Sequence, residues 1–240
     1  MTGEAVRLNA LGQPIGVDVP GWQARPRPPR TVMEGTWCRL EPIDPDRHAA
    51  ELHAANAADT KGAMWTYMNH GPFADLAQYR AWMDEACMGD DPLFFAIRDA
   101  ADGKAKGLAS YLRINPTDGV IEVGSIAYSP ALQKTVAATE TMYLMMRRAF
   151  DELGYRRYEW KCDTLNAPSR AAADRLGFRY EGTFVQATMY KGRNRDTAWY
   201  AITDKRWPAI KQAFEAWLAA DNFGADGRQR KPLSAFMPPG

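Results

Sequence analysis

Residues 121 to 153 constrain this chain more than any other stretch. Ile121 to Tyr128 alternates like a strand, a turn follows, and apolar residues then recur at Ala138, Met142, Met145, Ala149 and Leu153 before Gly154 ends the pattern. A strand that turns directly into a long amphipathic helix calls for a sheet with helices packed on its faces. The rest of the sequence extends that plan. Trp37 to Ile43 reads as a strand, Pro45 to Ala58 as a helix, and Ala74 to Met88 as a second helix. Leu93 to Arg98, Gly107 to Ile114 and Val120 to Tyr128 are three consecutive strands, the last two joined across Asn115-Pro-Thr-Asp-Gly119. Arg157 to Asp163 is a strand with Tyr158, Trp160 and Cys162 on one face, and Ala167 to Leu176 is a short helix. Phe184 to Tyr190 and Thr197 to Ile202 form a hairpin around Lys191-Gly-Arg-Asn194, and Ile210, Phe214, Trp217 and Leu218 mark a closing helix. The fold class is α/β, in the sense of a mixed α+β sheet with helices on its faces.

The chain ends read differently. Residues 1–30 carry eight glycines and prolines from Gly12 to Pro29 together with arginines, which suits an extended surface arm that Trp22 would pin to the body. Residues 221–240 form a similar Gly-, Arg- and Pro-rich tail, leaving 31–220 as the folded domain. A net charge of +1 gives no bulk attraction to nucleic acid or an anionic membrane, so any anion must be met by local geometry. Apolar runs are far shorter than the ~20 residues of a membrane span, and the N-terminus lacks an apolar signal core. Three dispersed cysteines without a Cys-x-x-Cys pair suit reduced thiols and a cytoplasmic protein. No metal-ligand spacing occurs, and His48 and His53 read as surface or boundary residues of the first helix.

Chemistry concentrates at two places. Gln133-Lys-Thr-Val-Ala-Ala-Thr139 sits between strand and helix, where unpaired main-chain N–H groups and the helix dipole favour a phosphate. Asn166-Ala-Pro-Ser169, followed by Leu176-Gly-Phe178, is a second turn into a short helix. Together they suggest a cleft for a pyrophosphate-bearing cofactor. Thr135 capping an ordinary packing helix is the competing reading. A nucleotide-phosphate loop is disfavoured because no Gly-Lys-Ser/Thr follows.

That order of elements, with Gln133-x-x-Val-x-Ala138, Ala138-Thr-Glu140, Asn166-x-x-Ser169, Leu176-Gly-Phe178 and Gly182, resembles the GCN5-related N-acetyltransferase (GNAT) superfamily, and most closely its ribosomal-protein N-terminal acetyltransferase subgroup. The likeness covers roughly residues 35 to 205. It implies a three-layer fold around a central, splayed, mostly antiparallel sheet, and acetyl-CoA as cosubstrate without a metal. The family loop carries glycine where this chain has Val136, a poor residue for positive φ. The loop works if Val136 already lies in the first helical turn and points inward.

The resemblance implies that Gln133, Lys134, Thr135, Val136, Ala137, Ala138 and Thr139 bind the pyrophosphate. Ile126, Ala127 and Tyr128 meet the pantetheine and thioester from the open strand edge, and Asn166 and Ser169 complete the cofactor side. Period two puts Glu122, Gly124 and Ile126 on one strand face, with Val123, Ser125 and Ala127 on the other. Glu122 is the candidate base and Ser169 the candidate donor to the leaving thiolate, against readings as a salt-bridged strand carboxylate and a helix-start serine. Trp65, Tyr67, Met68 and Phe94 form an aromatic wall for the acceptor, with His70 as a further helper in deprotonation. The basic turn Lys191 to Asp196 reads as a solvated charge cluster. The expected activity is direct acetyl transfer to a primary amine, either a protein N-terminal α-amine or a small amine. A non-catalytic acyl-CoA sensor on the same fold is the alternative. Exchange of the terminal arms, or a face on the last helix, would give a homodimer.

Overall fold

Arg157–Asp163 alternates so that Tyr158, Trp160 and Cys162 enter the apolar core while Glu159, Lys161 and Asp163 face the other way, and this strand is the pivot of the sheet. The computed structural model describes residues 7–239. Its strands are β1 (Arg7–Leu8), β2 (Pro14–Ile15), β3 (Met33–Glu34), β4 (Cys38–Pro42), β5 (Leu93–Asp99), β6 (Ala105–Asn115), β7 (Val120–Tyr128), β8 (Arg157–Asp163), β9 (Arg179–Tyr190) and β10 (Arg193–Thr203). The helices are α1 (Pro45–Asn56), α2 (Leu76–Ala86), α3 (Val136–Arg147), α4 (Ala167–Arg175) and α5 (Trp207–Leu218). β1 and β2 form a separate two-stranded ribbon. The other eight strands make one sheet in the order β3-β4-β5-β6-β7-β8-β10-β9, antiparallel except for the parallel pair β7–β8.

Two apolar layers cover the sheet. On one face, α3, α4 and α5 pack over Leu93, Phe95, Tyr111, Ile121, Val123, Tyr158 and Trp160. On the other, α1 and α2 pack over Phe94, Ala96, Leu108 and Ala127. The three-layer mixed fold follows from this division.

Several expectations need correction. Phe94, 2% exposed, lies beneath Trp82 in the α1–α2 layer and is core. His48 is fully buried, with Nδ1 accepting from the Asp44 N–H and Nε2 3.1 Å from Glu41 Oε2. α3 is buried on nearly all sides, Thr139, Glu140 and Thr141 included, because β3, the turn after it and α5 cover its outer face. It then passes into a π-helical turn, Arg148–Glu152, before Gly154. β9 begins five residues earlier than its apolar pattern, since its first residues are exposed and polar.

The arm is held as expected by Trp22, whose Nε1 donates to the Thr117 carbonyl at 2.7 Å. Arg148 then grips the Thr31 and Val32 carbonyls, both at 2.8 Å. At the other end Phe223 and Leu233 enter the main core, so part of the C-terminal tail is packed.

Candidate active site

β7 and β8 pair in register from Val120↔Arg157 to Val123↔Trp160 and then part. Gly124 to Tyr128 therefore runs beside Lys161 to Asp163 without pairing to it, while β8 stays bonded to β10 as far as Asp163↔Thr197. The divergence coincides with a β-bulge. Leu108 opposes Ala127 and Ser110 opposes Gly124, so β7 carries one extra residue, and Ser125 takes φ 49°. The bulge reverses the alternation. Ile126 joins Val123 on the α3 face, whereas Ala127 turns to the α1 face with Glu122 and Gly124. The period-two assignment thus fails beyond Gly124.

A cavity of about 950 Å³ opens at the divergence. Among the candidate cofactor residues, Ile126, Ala127, Tyr128, Gln133, Asn166 and Ser169 line it, and Glu122, Tyr67 and Met68 line its other end. Trp65 does not; it packs edge-on against Phe73 and lines a smaller neighbouring hollow. His70 stacks on Trp82 at 4.3 Å, and burial, followed by the Lys191 charge, pushes its imidazole down to about 4. It is a packed, neutral side chain at neutral pH.

The turn before α3 meets the condition set for Val136. Val136 is the first residue of the helix and packs against the core, and the positive φ of 61° falls on Lys134 instead. Gln133 Nε2 ties the turn to the Tyr128 carbonyl at 2.8 Å. Thr135 caps the helix, its Oγ1 accepting from Ala138 N–H at 3.1 Å and donating to Leu132 O at 2.7 Å. Among the described residues, the N–H groups of Val136 and Ala137 have no acceptor, as the first helical turn dictates. Arg175 from α4 donates to Thr139 Oγ1 at 3.2 Å, adding a guanidinium beside this helix start. Open main-chain donors, a nearby cation and a gap in the sheet fit a pyrophosphate followed by an amide-bearing arm.

α3 is aimed by Glu140. Its Oε1 accepts from Thr36 N–H at 2.8 Å, and its Oε2 from Trp37 N–H at 2.6 Å and Cys38 N–H at 2.9 Å. Gly35 is required beside it, because a Cβ there would land on this carboxylate.

At the thiol end, Asn166 caps α4 by accepting from Ser169 N–H at 3.1 Å. Trp160 Nε1 donates to Ser169 Oγ at 3.0 Å. The serine oxygen is thereby fixed, and its own hydrogen is left to donate, with the Cys162 sulfur one acceptor in reach. Burial pushes the neighbouring Cys162 thiol up, against a hydrogen bond from Ser169 that lowers it, so the cysteine is no ready nucleophile.

Glu122 lies on the floor of the acceptor end, 5% exposed. Its Oε2 is 2.8 Å from Lys161 Nζ and 3.5 Å from Arg113 Nε. Lys161 Nζ also lies 2.8 Å from Glu159 Oε2 and 3.6 Å from the Trp199 ring centre, and Phe184 stacks on Trp199 at 4.5 Å. Burial raises the Glu122 carboxyl above the ordinary range, with Lys161 and Arg113 opposing and Glu159 adding to the rise. For Glu159 the hydrogen bonds from Lys161 and Arg157 outweigh burial, and its carboxyl is held below the usual range. Sequence reasoning missed Lys161, Trp199, Arg113 and Arg175. Lys161 had a legible signal: Glu159, Lys161 and Asp163 put three charges on one face of a strand whose other face is fully apolar.

Over this end lies the segment around the short 3₁₀ turn Ala63–Trp65. Lys191 Nζ donates to Trp65 O at 2.8 Å, Arg193 Nη2 to Thr66 O at 2.6 Å, and Tyr67 Oη to Leu165 O at 2.9 Å. The basic turn between β9 and β10 is thus a clasp on the pocket wall, not simply a solvated cluster. Among the described residues no group of three or more His, Cys, Asp or Glu could hold a metal ion.

A profile of the Acetyltransferase (GNAT) domain matches residues 38–179. The crystal structure of a GCN5-related N-acetyltransferase from Brucella melitensis is 48% identical, covers 91% of this chain and 99% of its own, and superposes with a TM-score of 0.89. A probable GNAT-family acetyltransferase from Chromobacterium violaceum is 36% identical over 82% of this chain and 98% of its own, at a TM-score of 0.76. A structure assigned as a ribosomal-protein-serine acetyltransferase from Vibrio cholerae shares 16% identity over 72% of this chain and 97% of its own, at a TM-score of 0.62, so the ribosomal-protein subgroup is only a distant neighbour that shares the fold. No curated protein matches the chain in sequence. The matched domain spans the bulged strand, the loop before α3 and the Asn166 turn, and the chain belongs to the GCN5-related N-acetyltransferase family of acetyl-CoA-dependent acetyltransferases.

Proposed function

We propose that this protein acetylates a primary amine, an N-terminal α-amine of a peptide or a small amine, by direct transfer with Glu122 as base and Ser169 as proton donor. The observation that carries the reading is Glu122, a buried carboxylate on the floor of the cavity whose far end is the gap between β7 and β8. Acetyl-CoA supplies the acetyl group and leaves as its thiol. Glu122 takes the proton from the attacking amine, directly or through one water. Ser125 and Ile126, which have no register partner in β6 at the bulge, are the main-chain groups that would polarise the reacting carbonyl. Ser169, with Oγ held by Trp160, donates to the departing sulfur. The amine nitrogen gains the carbon–nitrogen bond as the carbon–sulfur bond breaks, and the proton lost at nitrogen is matched by the one gained at sulfur.

The pKa of the acceptor supports an α-amine. Near pH 7 an amine of pKa ~7.7–8.0 is neutral in roughly one molecule in ten, and a lysine of pKa ~10.4 in about one in 2,500. That difference is about 3.5 kcal/mol of deprotonation work, a heavy demand on a carboxylate base. The non-catalytic sensor reading rests on Val136 and on an unestablished base; Val136 here lies inside the helix and leaves the turn open, and the Glu122→Gln comparison addresses the base. Free, buried Cys38, Cys87 and Cys162 are consistent with a cytoplasmic location.

Thiol release with a panel of α-amino peptides, small amines and lysine peptides tests the proposal. Turnover with α-amines, lowered about 10²–10⁴-fold in Glu122→Gln, is the expected outcome. Unaltered turnover in Glu122→Gln would remove the carboxylate from the mechanism.

A further inference from the structure

We propose that Lys161 is the positioning residue of this site, clamping one oxygen of Glu122 so that the other faces the gap where amine and thioester meet. The proposal rests on the reading of Glu122 as base. Parallel pairing sets Glu122 directly across from Glu159, both on the α1 face of the sheet and both nearly buried. Two carboxylates so placed repel, and without a cation between them one would move away or take a proton.

Lys161 is that cation. It stands two residues beyond Glu159 on the same face of β8, just past the point where the strands part, and its side chain is 4% exposed. Its Nζ lies between the two carboxylates as an ion-pair partner of both, 2.8 Å from Glu122 Oε2 and 2.8 Å from Glu159 Oε2. Trp199, opposite Lys161 in the β8–β10 ladder, covers the ammonium with its ring at 3.6 Å. With its directions taken up in this way, the ammonium has little left to offer a substrate, and its work is to orient the carboxylates. The free oxygen of Glu122 then lies toward Gly124: a Cβ there would be 3.6 Å from Oε1 and 2.9 Å from the Leu112 side chain. The charged groups facing Glu122 are Arg113 from β6 and Lys161 and Glu159 from β8, with Arg157 held beyond Glu159 by Glu181. Arg113 is 3.5 Å away and mostly exposed, so it cannot replace the clamp.

The test compares the pH dependence of kcat/KM, acetyl-CoA Kd and thermal melting for wild type, Lys161→Met, Lys161→Arg and Glu159→Gln with one acceptor. Lys161→Met should lower kcat about 10–100-fold, in line with a misplaced catalytic group, with acetyl-CoA Kd within about threefold. Its acid limb should move to higher pH, because the attraction that keeps Glu122 ionised has gone. Glu159→Gln should move the limb the opposite way, since a like charge is removed, and Lys161→Arg should recover most of the limb. If Lys161→Met does not fold, the Glu159→Gln and Lys161→Arg limbs still decide. An unmoved limb in Glu159→Gln, or a folded Lys161→Met that keeps the wild-type limb, overturns the proposal. Full activity in Glu122→Gln instead removes the underlying base assignment, a separate result.

Discussion

Replacing Glu140 by glutamine separates the charge of this buried carboxylate from its shape. In the wild type its two oxygens accept three main-chain N–H bonds, from Thr36, Trp37 and Cys38. The best orientation of the amide keeps an oxygen against Trp37 and Cys38 and turns the NH₂ toward Thr36, which is exposed enough for water to replace the lost acceptor. The two retained bonds change from charge-assisted to neutral, at about 1 kcal/mol each, and the Thr36 bond adds up to about 1 kcal/mol. Glu140→Gln should therefore cost about 2–3 kcal/mol, a fall in Tm of about 5–10 °C for a chain of this size. Glu140→Ala also strands the buried Cys38 N–H and should cost about 3–5 kcal/mol. Urea unfolding with a shared m-value, checked by calorimetry, measures both. Glu140→Gln within about 0.5 kcal/mol of wild type, the span of ordinary surface substitutions, would refute the claim that this carboxylate joins α3 to the turn before β4.

Further outcomes follow from the same geometry. Ser169→Ala should slow kcat about tenfold or more and cost about 1–2 kcal/mol, because Trp160 Nε1 loses its acceptor; paired kinetics and melting curves read the two effects. Lys134→Gly should stabilise by about 1 kcal/mol in urea by relieving positive φ, whereas Val136→Ala should change acetyl-CoA Kd, read by calorimetric titration, by less than about threefold. The raised Glu122 carboxyl means that the folded protein binds its proton more tightly than the unfolded chain. Stability should therefore fall as pH rises from the ordinary glutamate value through the raised one, and denaturation of Glu122→Gln should lack that decrement.

The sequence disclosed the plan of this domain where period and burial agree. The bounds of Val120–Tyr128 and Arg157–Asp163 were readable to the residue because each ends at a turn signal, and Arg157–Asp163 also alternates cleanly. Ser125 was not readable, since nothing in Gly124-Ser-Ile126 announces an extra residue, and one residue suffices to exchange the faces of Ile126 and Ala127. The burial of Thr139, Glu140 and Thr141 was not readable, because helix periodicity cannot register what β3, the following turn and α5 lay over them. Phe94 and Trp65 looked like recognition residues and are packing. In the site, Glu122 and Ser169 were legible as residue types at family positions. Their settings were not, because Lys161, Trp199 and Trp160 reach them through strand pairings that no local pattern encodes.

Strand pairing between the two halves of the great sheet, among the described residues, runs through Val120–Val123 and Arg157–Trp160, with Gly119 accepting from the Arg156 and Arg157 N–H groups at its start. This short seam joins β3 to β7 on one side to β8 to β10 on the other. The apolar layer beneath α3 spans both sides, whereas beyond Val123 and Trp160 no β7–β8 pairing links them. The Glu122–Lys161–Glu159 rung sits where the pairing ends and ties the two strands together by charge. The proposed base thus stands on the paired stretch, while whatever enters the gap lies between strands that no longer bond to each other.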